Sequence, residues 1–177
     1  MLDEIIDDEK VELITDDDNE KCVEPIVRLI TFHLENEIYG VEVRNVREIL
    51  LLNQSFPVPG APDFVLGITN IRGNVLTIID ARRRFNLSSV DLSESPFDKS
   101  ARMIVMESGD ATAAVLVDSV SDVIDVKESA IDLNPKIKVN GDSMYINGVV
   151  SHLDDLIIIL NVKEFLDEGE LGMVSGL

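Results

Sequence analysis

Asn70-Ile71-Arg72-Gly73-Asn74, running straight into Val75-Leu76-Thr77-Ile78-Ile79-Asp80, is the stretch on which the reading of the fold turns. Two short apolar runs, residues 65–69 and 75–79, are joined by a turn in which Gly73 supplies the positive φ that a tight connection needs. Side chains alternate along a strand, so Leu66, Ile68, Asn70 and Arg72 are expected on one face. The hairpin would deliver a guanidinium to an exposed tip. Arginine is the cation best suited to gripping a carboxylate in two places. No nucleophile lies nearby.

Upstream, residues 26–34 read as a strand, Glu35-Asn36-Glu37 as a turn and residues 38–43 as the returning strand. The period then changes. Val46, Ile49 and Leu50 fall at i, i+3 and i+4, which predicts one or two helical turns over residues 44–50, with Leu50-Leu51-Leu52 opening another strand. Pro57, Pro59 and Pro62 exclude a long regular element, although Pro62 can open a single helical turn. Downstream, residues 81–86 read as a helical turn and 87–100 as a surface loop. Strands are expected over 101–107 and 111–118 across Gly109-Asp110, then over 120–126, 145–152 and 156–161. A short helix over 162–166 closes the pattern.

Many short strands between turns indicate an all-β barrel or sandwich. Residues 113–117 and 157–160 are apolar at every position, so both faces of those strands need cover. Two small barrels sharing a core would provide it. No repeat of the first half in the second is visible letter by letter.

With 177 residues, 45% of them hydrophobic, the chain can bury one substantial core or two small ones. It has no Trp and only 5% aromatics, so Val, Ile and Leu are expected to carry the packing. A net charge of −19 argues against a nucleic-acid surface and against unaided binding to anionic lipid. Residues 1–24 hold eleven acids against two lysines and read as an acidic, solvated tail, with a docking strip for a basic partner as the alternative. Residues 25–167 are the expected folded unit and 168–177 a loose end. The single Cys22 cannot form an internal disulfide and suits a reducing compartment. Met1-Leu2-Asp3-Glu4 lacks the basic start of a secretory signal, and no apolar run approaches the roughly 18 residues that span a bilayer. A cytoplasmic protein is expected.

Four blocks carry a family resemblance. They are Phe32-His33-Leu34-Glu35-Asn36-Glu37-Ile38-Tyr39-Gly40-Val41-Glu42-Val43 with Val46-Arg47-Glu48-Ile49; Val58-Pro59-Gly60-Ala61-Pro62-Asp63-Phe64-Val65-Leu66-Gly67 leading into Asn70-Ile71-Arg72-Gly73; Val117-Asp118-Ser119-Val120-Ser121-Asp122-Val123; and Ile146-Asn147-Gly148-Val149 followed by residues 156–162. In this order and spacing the chain resembles the CheW-like family of bacterial chemotaxis coupling proteins. The resemblance implies an all-β fold: two SH3-like five-stranded β-barrel subdomains around a shared hydrophobic core, with short helical turns. It implies a non-catalytic adaptor that joins chemoreceptor signalling tips to the regulatory domain of a histidine kinase, recruited to receptor arrays at the inner face of the membrane.

On that resemblance Val46, Glu48, Ile49, Gly67, Asn70, Arg72, Val120 and Val123 are the expected receptor-binding residues, with Val46 and Val123 bordering a groove between the barrels. Leu50, Leu51, Leu52 and Phe56 are the expected kinase surface. Glu48 is the natural counter-charge for Arg72, and the two are expected to meet; the alternative is a local helical pair between Glu48 and Arg44. Arg82-Arg83-Arg84 reads as a solvated basic cluster at a strand end. His33 and His152 read as structural. No nucleophile, nucleotide or metal-ligand pattern is present, so no enzyme, cofactor or metal is expected. The rival readings are a coupling domain belonging to a larger adaptor–receiver or kinase protein, and a small β-barrel enzyme or ligand-binding protein.

Overall fold

The computed structural model describes residues 23–87, 99–135 and 143–167. The acidic stretch 1–22, the loop segment 88–98, the segment 136–142 and the end 168–177 lie outside the described residues. The expectations about the tail and the loose end fall there.

The described elements run β1 (Ile26–Leu34), β2 (Glu37–Glu42), a 3-10 turn (Val43–Asn45), β3 (Val46–Leu51), β4 (Val65–Ile71), β5 (Asn74–Asp80), α1 (Ala81–Arg84), β6 (Arg102–Ser108), β7 (Ala111–Val117), β8 (Ser119–Lys127), β9 (Ile146–His152), β10 (Asp155–Leu160) and α2 (Val162–Phe165). One five-stranded sheet has the order β3-β6-β7-β5-β4 and the other β8-β1-β2-β10-β9. Each curls into an SH3-like barrel, here called barrel one and barrel two.

Residues 44–50 correct the helical expectation. Only Val43–Asn45 is helical, and Val46–Leu51 is a strand whose burial alternates along its length. Leu50-Leu51-Leu52 therefore ends β3 and opens no new strand.

The two strand orders are the same order, once β1–β2 is counted after β10. The correspondence reaches single residues. The Asp80 amide donates to the Phe64 carbonyl at 2.8 Å, and the Asn161 amide donates to the Tyr145 carbonyl at 2.7 Å. Phe56 bridges Ile68, and Asp132 bridges Val149. The Asp80 side chain caps α1, and the Asn161 side chain caps α2. The repeat is circularly permuted: β3–β7 forms one unit, while β8–β10 is completed by β1–β2 from the other end of the chain. A comparison of the first half with the second cannot find it.

Ala113–Val117 and Ile157–Leu160 are buried throughout, because one face of each strand lines a barrel interior and the other faces the seam between barrels. The barrel interiors are aliphatic, around Met103, Val105 and Leu116 in one and Leu29, Val150 and Ile157 in the other. The seam is different. The scarce aromatics gather there: Tyr39 lies 4.9 Å from Phe85, and Phe85 lies 5.3 Å from Phe165, with Phe32 and Tyr145 at the ends of the chain of rings. Burial and the hydrogen bond to Glu37 push the Tyr39 phenol far up.

The arginine cluster is part of this architecture and is not a solvated patch. Arg84 is buried, with its guanidinium 4.2 Å from the Phe64 ring centroid and 4.7 Å from that of Tyr145. Arg82 grips Asp118 through Nε, at 2.8 Å, and through Nη2. Asp118 also accepts from the Glu35 amide at 2.8 Å, which ties the β1–β2 turn of barrel two to α1 of barrel one. Arg83 donates to the Asp63 carbonyl at 3.0 Å.

Candidate functional site

Ile71 pairs with Asn74 across the β4–β5 hairpin, which leaves Arg72 and Gly73 as a two-residue loop. Their φ values are +52° and +86°. Both residues, and not Gly73 alone, take the left-handed conformation that a primed hairpin turn requires. For a residue with a Cβ this costs about 1–2 kcal/mol. Asn70 helps hold the turn, its Oδ1 accepting from the Gly73 amide at 2.9 Å. Because Arg72 sits in the turn, strand alternation no longer sets its direction. Its side chain is 78% exposed and reaches Glu48, with Nη2 3.3 Å from Oε2.

This pair spans the barrel. β3 and β4 are opposite edges of their sheet, so the contact latches the edges together at one end. Further along, the Phe56–Ile68 bridge and the hydrogen bond from Thr69 Oγ1 to the Gln54 carbonyl, 2.9 Å, close the same seam. Gly67 has a closure role of its own. It is buried, with φ +152°, and a Cβ there would sit 2.4 Å from the Phe56 carbonyl oxygen. The local helical pair between Glu48 and Arg44 does not form; Arg44 meets Glu42 instead, at 2.6 Å. Arg47 faces Glu107 at 3.1 Å, so the end of barrel one is a set of matched charges in which the guanidinium groups of Arg44, Arg47 and Arg72 are all exposed.

The four apolar candidates form two equivalent pairs. Val46 and Ile49 face Met106 and Ile104 on β6, whereas Val120 and Val123 face Phe32 and Ile30 on β1. Val46 and Val120 are half-buried and pack on the seam core. Ile49 and Val123 are exposed, Val123 by 60%. Glu48, Gly67, Asn70 and Arg72 thus come together with Val46 and Ile49 on barrel one, and Val120 and Val123 stand at the matching positions of barrel two. Of the expected kinase surface, Leu51 and Phe56 are exposed, while Leu50 and Leu52 pack against the interior of barrel one.

The matching end of barrel two is built differently. Its hairpin turn is Leu153-Asp154, also at positive φ, +48° and +71°. Leu153 is 84% exposed. The sequence reads as a hairpin turning on Leu153-Asp154-Asp155, but with no cation there it does not mark Leu153 as a second candidate tip. Opposite it stand Ser121 and Asp122 of β8, with Ser121 Oγ 2.7 Å from His33 Nε2. Between them lies a groove of about 450 Å³ with Ile38, Ile124 and Ile157 among its walls.

Exposed tips, edge latches and an apolar seam define a scaffold, a protein that acts by holding partners. The sequence comparisons agree with that class. Residues 28–170 match the CheW-like domain, and the chain belongs to the CheW-like family. It is 29% identical over 150 residues to the chemotaxis protein CheW of Treponema pallidum, covering 85% of this chain and 88% of that protein. It is 31% identical over 144 residues to the chemotaxis protein CheW of Helicobacter pylori, covering 81% and 83%. The crystal structure of the scaffolding protein TtCheW from Thermoanaerobacter tengcongensis superposes with a TM-score of 0.70 at 28% identity, over 77% of this chain and 90% of that one. The chain is a non-catalytic chemotaxis coupling adaptor.

Proposed function

We propose that the groove between the barrels, bordered by the latched end of barrel one with Arg72 at its tip and by Val123 of barrel two, receives the chemoreceptor's helical signalling tip. Glu48 holds the guanidinium in place, and Val46, Ile49, Val120 and Val123 supply the apolar anchors for an amphipathic helix. Gly67 and Asn70 serve by shaping the hairpin. The kinase regulatory domain docks on a separate face, through exposed Leu51 and Phe56. The adaptor has no chemistry of its own; it transmits by binding receptor states differently. It works in the cytoplasm, recruited to receptor arrays at the inner face of the membrane.

The observation that carries this reading is the 3.3 Å contact between Arg72 and Glu48, which holds an exposed cation at a hairpin tip where the matching tip of barrel two has none. An exposed pair contributes about 0–1 kcal/mol to stability, too little to explain the geometry by folding alone. Co-sedimentation with receptor signalling fragments and kinase tests the reading. Arg72→Ala is expected to lower adaptor recovery at least tenfold. Undiminished recovery with a folded variant would refute the assignment.

A further inference from the structure

The permuted repeat has a consequence for self-association. In barrel one the last two strands, β6 and β7, follow α1 along the chain. In barrel two the corresponding strands, β1 and β2, precede everything else and reach β8 and β10 only through space. Their sole covalent link to the rest of the described residues is the three-residue turn Val43–Asn45.

That turn is lightly held. It buries no residue and has no side-chain cap. Its anchors are the Val46 amide on the Val43 carbonyl, the Asn45 amide side chain on the Glu107 carbonyl at 3.0 Å, the Arg44–Glu42 pair, and the packing of half-buried Val43 on the seam core. The residues on either side are already extended: Glu42 has φ −63° and ψ +133°, and Val46 has φ −106° and ψ +124°. Only three residues must straighten for β2 to run directly into β3. Every strand pairing of β1–β2 would then be available unchanged from another chain. A short hinge between fully formed units is the usual setting for strand exchange.

We infer that the β1–β2 hairpin is an exchangeable element, and that a second copy of this chain is the partner that fits: the hairpin of one copy completes barrel two of the other, with Val43–Asn45 as the hinge. The exchanged pair would bind two receptor tips at a fixed spacing, with the candidate site on barrel one intact in each copy.

The Arg28–Asp125 pair gives the test. These residues are register partners on β1 and β8, exposed, and in contact at 2.7 Å. In chains carrying Cys22→Ser, one tagged copy receives Arg28→Cys and a differently tagged copy receives Asp125→Cys. The two are unfolded together, refolded at high concentration and oxidised. Exchange predicts a disulfide joining the two tags in at least about a tenth of the chains. It also predicts that deleting Arg44 and Asn45, which leaves the hinge too short to turn back, converts the protein to a dimer by light scattering. A chain carrying both cysteines is the control, since its internal disulfide reports that the pair can bond. Efficient internal bonding with no mixed product, and a monomeric hinge deletion, would overturn the inference.

Discussion

The two barrels share one backbone plan and carry different chemistry at corresponding ends. In barrel one the tip residue is Arg72, the facing strand offers Glu48, and the pair latches two sheet edges. In barrel two the tip is Leu153, the facing strand offers Asp122, and a groove of about 450 Å³ lies there. Strand order, primed turns, closing bridges and helix caps recur in both, so they belong to the fold. What differs is the chemistry of the tips, an ion-paired cation against an apolar residue, and the proposed receptor site rests on that difference. Pseudo-symmetry therefore acts as an internal control, separating what the scaffold requires from what a partner would read.

The largest expected effect breaks the shared part. Gly67→Ala places a Cβ 2.4 Å from the Phe56 carbonyl in a conformation unsuited to alanine, and is expected to cost about 3 kcal/mol or more in chemical denaturation. Gly148→Ala, 2.8 Å from the Asp132 carbonyl, is expected to be damaging but milder. If either is neutral, barrel closure does not rest on that close approach.

The apolar pairs come next. Val46→Asp puts a charge against the seam core and should cost about 2 kcal/mol. Val123→Asp, at an exposed site, should leave the unfolding curve nearly unchanged. Both should abolish receptor pull-down. Retained binding in the two variants would dissolve the apolar half of the proposed surface.

The helix caps allow an exchange between repeats. Asp80 is mostly buried, and burial pushes its carboxyl above the ordinary range against the opposing pull of the Arg82 and Arg83 amides. The folded state thus holds that proton more tightly than the unfolded chain does. Its contribution to stability is full below about pH 3.8 and is lost as pH rises through the raised folded value. Asp80→Asn, which copies Asn161, keeps the cap and should flatten this acid-side slope; Asp80→Ala should lose about 1 kcal/mol. Equal stability of the Asn and Ala variants would mean that the cap is idle.

The smallest effects lie at the tips. Leu153→Asn should stabilise by about 1 kcal/mol, because asparagine tolerates the left-handed turn better than leucine. Leu153→Arg offers Asp122 a partner and should show a coupling energy of about 0.5 kcal/mol in a double-mutant cycle. A zero coupling would show that the latch of barrel one depends on more than residue identity.

Much of this was legible in the sequence, for reasons that can be named. The β1 boundaries and the two-sided burial of residues 113–117 and 157–160 follow from alternation and apolar runs, whereas the meeting of Glu48 with Arg72 was implied by the family resemblance. The strand Val46–Leu51 was hidden because Glu48 sits on the half-buried face of β3 to reach Arg72, which spoils the alternation and leaves a false helical spacing. The seam was hidden because composition counts aromatics without locating them. Arg84 reads as solvated in the sequence because its ring partners, Phe64 and Tyr145, lie far from it along the chain.

Binding of a receptor signalling fragment to Arg72→Ala, measured beside Leu153→Ala under identical conditions, tests the central contrast most directly. At least a tenfold rise in Kd for Arg72→Ala, with little change for Leu153→Ala and both proteins folded, is the expected result. Equal affinities for the two variants would contradict the assignment of partner recognition to the latched end of barrel one.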